Sequence, residues 1–298
     1  MASTLSTKLH IPHTKEPNCS IVGVLEQISP SSDSKGRKLA LILHGTMGHK
    51  DYLYQKRLAS KLPLDSFRFD FRGNHESGGT WREGALEEDL VDLLVVVDYL
   101  KVTYGYVIDL VVGHSRGSLV GLRWVCTTEE GRNISGLVNV SGRYRMSVGN
   151  LQKALDTIDG KIWKASFDEY GYYEWNVRVA KKQVTVKLFP EDFDELVYNW
   201  DTSLVWDQFP QTLHVLTVHG LADMTVPPYD ALIYTRALSN RTPGTHVLNF
   251  MEDTDHIFTG RKDKVVETIL VWWATKERGD LKTGVWVEPE HNSPKPKL

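Results

Sequence analysis

Short apolar runs alternate with helically spaced segments along most of this chain, and that alternation restricts its fold more than any other feature. "LALILHG" (Leu39 to Gly45), "IDLVVG" (Ile108 to Gly113) and "ISGLVNVSG" (Ile134 to Gly142) are almost continuously apolar, as expected of strands buried on both faces. "CSIVGVLEQI" (Cys19 to Ile28), "FRFDFRG" (Phe67 to Gly73), "TLHVLTVHG" (Thr212 to Gly220) and "THVLNFME" (Thr245 to Glu252) read as further strands. Helical spacing marks "YLYQKRLASKL" (Tyr52 to Leu62), the long "ALEEDLVDLLVVVDYLKVTY" (Ala85 to Tyr104) and "SLVGLRWVC" (Ser118 to Cys126). "PYDALIYTRAL" (Pro228 to Leu238) and "KVVETILVWWATKE" (Lys264 to Glu277) complete the set. The pattern argues for an α/β fold, a doubly wound, mostly parallel sheet with helices on both faces. Chemistry in such sheets sits just past the carboxyl ends of the strands. Four candidate reactive segments fall there, after Leu43, Val112, Val218 and Phe250.

The stretch from Arg143 to Trp206 breaks the alternation and is rich in Trp, Tyr and Phe. A structureless loop of that length is improbable in a compact domain. It reads as an inserted cap, its aromatics partly a small core of its own and partly the wall of a pocket. The expected division is an N-terminal tail over 1–18, an α/β core over 19–142 and 207–278, the cap over 143–206, and a C-terminal tail over 279–298.

Composition narrows the function classes. A formal charge of −3 and a pI near 6.4 give no basic footprint for nucleic acid. No run approaches the roughly 18 apolar residues of a membrane span, and "MASTLSTKLH" has no apolar core of a secretory signal. Cys19 and Cys126 are too few for a disulfide framework and lack metal-ligand spacing. An intracellular, cytoplasmic protein without a metal or other cofactor is expected. The final Pro296-Lys297-Leu298 loosely resembles a Ser-Lys-Leu peroxisomal address, although a polar tail ending by chance in Lys-Leu is the preferred reading. Oligomeric state is not written in the sequence.

Gly113-His114-Ser115-Arg116-Gly117 fits G-x-S-x-G at a strand-to-helix junction. Such a turn strains the serine backbone, and side chains beside it would clash with strand and helix. A serine hydroxyl needs a general base to act as nucleophile. "VHGLADMTVP" puts Asp223 just beyond a strand end, and "MEDTDHIF" puts His256 beyond the next, so acid and base follow Ser115 in the order this architecture requires. A carboxylate orienting an imidazole, which takes and returns the serine proton, accounts for all three residue types. Asp253 and Asp255 are alternative acids, though Asp255 adjoins His256 and would reach its far ring nitrogen awkwardly. "LILHGTMGHKD" supplies a glycine-rich turn whose Thr46 N–H, opposite that of Arg116, would form an oxyanion hole. His214 and His219 read as hydrogen-bonded core or strand-end residues, His114 as packed beneath the serine turn, and His10, His13 and His291 as lying in flexible ends. No phosphate-binding G-x-x-x-x-G-K-[ST], H-E-x-x-H or paired C-x-x-C occurs.

On "HGTMGHKD", "FDFRGNHESGG", "GHSRGS", "HGLADMTVP" and "DTDHIF", from about residue 40 to 260, the chain resembles the α/β-hydrolases, and within them the cinnamoyl/feruloyl esterase and serine aminopeptidase-like branch. The resemblance implies Ser115, Asp223 and His256 as triad, Thr46 and Arg116 as oxyanion-hole donors, and a cap where the insertion falls. It departs at Arg116, where those esterases commonly have glutamine, and at His75, usually glycine. The Arg116 side chain is expected on a structural acid, with a substrate carboxylate as the alternative, and His75 in a loop near the site rim. The activity expected is hydrolysis of a small-molecule carboxylic ester with an apolar or aromatic group. Thioester or amide cleavage and acyl transfer could use the same residues, and a non-catalytic ligand receptor could use the same scaffold. Haloalkane and epoxide chemistry is disfavoured, because it places an aspartate where Ser115 stands.

Overall fold

The computed structural model describes residues 4–30, 33–146, 151–152 and 155–285. Nine strands form one sheet, in the order β1-β2-β4-β3-β5-β6-β9-β10-β11. They are β1 (Leu5–Pro12), β2 (Ser20–Gln27), β3 (Lys38–Leu43), β4 (Asp65–Phe69), β5 (Val107–His114), β6 (Gly136–Val140), β9 (His214–Gly220), β10 (His246–Met251) and β11 (Gly284–Val285). Only the β1–β2 and β2–β4 pairs are antiparallel, and every other neighbour is parallel.

The central strands are buried on both faces because successive side chains feed two separate cores. Leu39, Leu41 and Leu43 of β3 join a layer with helices α2 (Leu86–Tyr104) and α3 (Arg116–Thr127). Ala40 and Ile42 of the same strand join the opposite layer, with α1 (Gln55–Ala59) and the C-terminal helix Lys262–Glu277. Helices thus cover both sides of the sheet, as the alternation requires. Helix α2 carries Glu87, Glu88 and Asp89 in its first turn, where the helix dipole favours negative charge. It stops at Gly105, whose left-handed φ of 71° lets its N–H reach back to Leu100 and Lys101.

Several boundaries differ from the sequence reading. The helix expected over Tyr52 to Leu62 is regular only over Gln55–Ala59, because Leu53 turns at φ 48° and Pro63 follows. Strand β4 ends at Phe69, four residues short of Gly73, and the chain then turns into a loop closed by the Gly73 N–H on Gly78 O.

The expected tails are a clearer correction. Residues 1–18 include strand β1, which pairs with β2 along its whole length. Its alternate residues Leu9 and Ile11 enter the core while Lys8, His10 and Pro12 face out, the half-buried pattern of an edge strand. His13 is not in a flexible end: it is buried, with Nε2 3.0 Å from Asp92 Oδ1 on α2. Within 279–298, Gly284–Val285 pairs with β10. His291 and the Pro296-Lys297-Leu298 address lie outside the described residues.

Between β6 and β9 the aromatic stretch builds its own elements. Helix α5 (Ile158–Tyr170; α4 is the short Glu129–Arg132) is followed by the antiparallel hairpin β7 (Tyr173–Val179) and β8 (Lys182–Leu188). The short helix α6 (Pro190–Asp194) and a π turn (Glu195–Asn199) follow. Val179 and Leu188 of the hairpin pack on Met47 and Trp81 of the core, with Phe167, Trp175 and Phe193 around them. After β9 come α7 (Pro228–Leu238), β10 and α8 (Lys262–Glu277).

Candidate active site

Strand β5 delivers Ser115 to the carboxyl edge of the sheet, and α3 begins at the next residue. Ser115 adopts φ 51° and ψ −117°, a left-handed backbone that a non-glycine residue occupies only under constraint. The flanking glycines supply that constraint. A Cβ at Gly113 would lie 2.5 Å from the Ser118 backbone, and one at Gly117 would lie 2.6 Å from the carbonyl oxygens of Leu43 and His44. The Ser115 N–H donates to Val140 O on β6, closing the turn.

Three side chains distant in sequence meet there. The Ser115 Oγ lies 3.0 Å from His256 Nε2, and His256 Nδ1 lies 2.7 Å from Asp223 Oδ2. An ionised carboxylate only accepts, so Nδ1 carries the proton and Nε2 is left to accept from the serine hydroxyl. Burial pushes the Asp223 carboxyl up, but hydrogen bonds from His219 and His256 and from the Val226 N–H outweigh it and hold the group well below the usual carboxylate range. The other Asp223 oxygen accepts from the Thr225 and Val226 N–H groups, which fixes the carboxylate in the turn after β9. The alternative acids are engaged elsewhere: Asp255 accepts from the Thr259 N–H, and Asp253 takes a turn position at φ 48°.

Neighbouring histidines position the site. His114 is buried beneath the serine turn and donates from Nε2 to the carbonyl of His256 at 3.0 Å. Burial holds it at about 3, so it stays neutral. His219 is buried at the end of β9, its Nε2 donating to Val226 O at 2.9 Å. His214 bonds the Thr245 hydroxyl. His44 receives the Phe71 N–H at Nε2 and therefore donates from Nδ1 to the Gly45 carbonyl, 2.8 Å away. That bond braces the turn carrying Thr46, whose N–H, like that of Arg116, has no acceptor among the described residues.

The Arg116 side chain takes the structural role. Its Nε donates to Asp89 on α2, and its remaining nitrogens donate to the carbonyls of Glu83 and Arg82. His75 sits in the loop after β4 with its ring 4.9 Å from that of His49, which faces a groove shared with Thr46. Asp70, His75 and Glu76 cluster as metal ligands might, but the buried Lys50 ammonium already bonds Asp70 and Glu76.

A cavity of about 160 Å³ opens beside Ser115. Leu86, Leu119, Val226, Leu196 and Trp200 give it an apolar wall. Trp163, Phe167, Tyr172, Tyr173, Phe189 and Phe193 of the 143–206 stretch pack on one another instead. Sequence reasoning missed polar residues of this cavity, among them Glu83, Arg143 and Arg145. None of these belongs to a motif, and only tertiary folding brings them to the serine.

The fold is that of the α/β hydrolase class. The chain belongs to the alpha/beta hydrolase family, whose sequence model matches residues 40–268, and the family defines it as a hydrolase of small molecules. An uncharacterized protein of Saccharomyces cerevisiae is 27% identical over 76% of this chain and 70% of its own length. Among solved structures, Est1E of Butyrivibrio proteoclasticus with ferulic acid bound superposes with a TM-score of 0.65 at 18% identity, covering 91% of this chain and 99% of that one. The Pyrococcus furiosus esterase Pf2001 gives 0.60 at 17% identity, covering 92% and 90%. No helix among the described residues is long and apolar enough to cross a membrane.

Proposed function

We propose that this protein is a serine esterase that cleaves a carboxylic ester through an acyl-enzyme on Ser115. The observation that carries the reading is the continuous line from Ser115 Oγ through the His256 ring to Asp223, with contacts of 3.0 and 2.7 Å. Ser115 Oγ attacks the ester carbonyl carbon while His256 Nε2 takes its proton. The carbonyl oxygen becomes an oxyanion, met by the N–H groups of Thr46 and Arg116. Collapse breaks the C–O bond, and the imidazolium returns the proton to the departing alcohol. Water, deprotonated by the same imidazole, then attacks the acyl carbon, and the acid leaves as Ser115 recovers its proton.

Residues 143–206 act as a cap over this site, tied to the core by Arg82 on Asp192 and by the packing of Val179 and Leu188 on Met47. The apolar wall of Leu86, Leu119, Val226 and Trp200 suits an apolar or aromatic acyl body. Binding of ferulic acid by a protein of the same fold supports an aromatic acid as one such product.

Turnover of short p-nitrophenyl acyl esters tests the reading. Wild-type protein should release p-nitrophenol, and Ser115→Ala and His256→Ala should each lose on the order of 10³-fold or more in kcat while remaining folded. Full activity in Ser115→Ala would refute the assignment.

A further inference from the structure

The cavity beside Ser115 holds a guanidinium, that of Arg143, with no anionic partner among the described residues. Arg143 follows β6, and its backbone is clamped on α7: its carbonyl accepts from the Tyr234 hydroxyl at 2.7 Å, and the next N–H donates to Asp230 at 2.9 Å. The side chain is therefore held in place. Among the described residues its guanidinium donates to the Thr225 carbonyl, in the turn that carries Asp223. Asp230, Asp223 and Glu83 are the acids that feel its charge, yet none of them ion-pairs with it among the described residues. Asp223 is committed to His256 and the turn N–H groups, and Asp230 to the Tyr144 N–H. A guanidinium presents five donors, so several remain for a ligand.

Glu83 completes the arrangement. It lines the same cavity, and its Oε2 is buried with no hydrogen-bond partner. Burial pushes its carboxyl up, and the nearby Asp192 and Asp89 push it the same way against Arg116 and Arg143. Arg116, the arginine closest in sequence to the nucleophile, is occupied by Asp89 and cannot serve.

We propose that Arg143 is the specificity-determining residue of this site, binding a carboxylate at the far end of the acyl group so that the preferred substrates are monoesters of short dicarboxylic acids. The inference rests on the ester-hydrolase reading and adds the substrate class. A cavity of about 160 Å³ has room for a short acyl chain that ends in a carboxylate. Guanidinium and carboxylate match in geometry, and the partly dry wall strengthens their hydrogen bonds.

The test compares monomethyl glutarate with methyl 5-methylhexanoate, in which an isopropyl group replaces the carboxylate, by following methanol release. Wild-type protein should favour the anionic ester by at least tenfold in kcat/KM. Arg143→Met should reverse the preference chiefly through KM, and Arg143→Lys should retain part of it. Fluorophosphonate labelling of Ser115 in each variant reports an intact site independently of the substrate. Failure of the wild type to label would overturn the serine-hydrolase reading itself. Labelling with no turnover of the anionic ester, with a preference for the neutral ester, or with equal effects of Arg143→Met on both, would overturn only the assignment of Arg143.

Discussion

Arg116, the residue after Ser115, and Asp89 form a buried pair. Removing one member of such a pair leaves an uncompensated charge, so Arg116→Met should cost about 3 kcal/mol or more of unfolding free energy, and Asp89→Leu in the same chain should recover much of it. Urea denaturation of the single and double variants checks this; additive losses would contradict it. Asp223 makes a different prediction, because hydrogen bonds hold its carboxyl well below the usual carboxylate range in the folded protein. The stability it contributes is complete at neutral pH and is lost as pH falls through about 4 and below. Asp223→Asn should therefore flatten the acid limb of the stability curve, while kcat drops by roughly 10⁴-fold. Ser115, Asp223 and His256 were legible in the sequence because each follows a recognisable strand and their order is fixed by the architecture. Glu83 and Arg143 were not, since no periodicity or motif marks a residue that only tertiary folding brings to the site.

Elements were legible where burial is symmetric. The runs that became β3, β5, β6 and β9 are apolar on both faces and could be read without ambiguity, whereas β1 has the weaker pattern of an edge strand and carries a charged Lys8 and a Pro12. The hairpin β7–β8 was hidden by its turn. Ala180 and Lys181 both have positive φ, 47° and 69°, as a type I′ turn demands, but neither is the Asn or Gly that signals one. The serine turn gives the sharpest prediction at this scale. Gly113→Ala and Gly117→Ala drive a methyl into backbone that cannot retreat, and each should destabilise by about 2 kcal/mol or more. Thermal denaturation of the two variants measures it, and an unchanged Tm would show that the junction is looser than described.

In the whole molecule the sheet carries helical layers on both faces, and residues of the 143–206 stretch pack on Met47 and Trp81. The first strand belongs to this unit: Ile11 is fully buried, and His13 and Arg72 both bond Asp92 on α2. Ile11→Ala should cost about 3 kcal/mol, which equilibrium unfolding would register, whereas a dispensable tail would register almost nothing. Because Met47 adjoins Thr46, the 143–206 stretch packs beside the turn proposed to hold the oxyanion. The proposed mechanism turns on one oxygen, Ser115 Oγ. The most direct measurement is intact-mass and peptide mapping of the protein after reaction with a fluorophosphonate. The account predicts a single adduct, on Ser115, that disappears in Ser115→Ala and forms far more slowly in His256→Ala. An unmodified wild-type protein, or an adduct on another residue with Ser115 untouched, would contradict it.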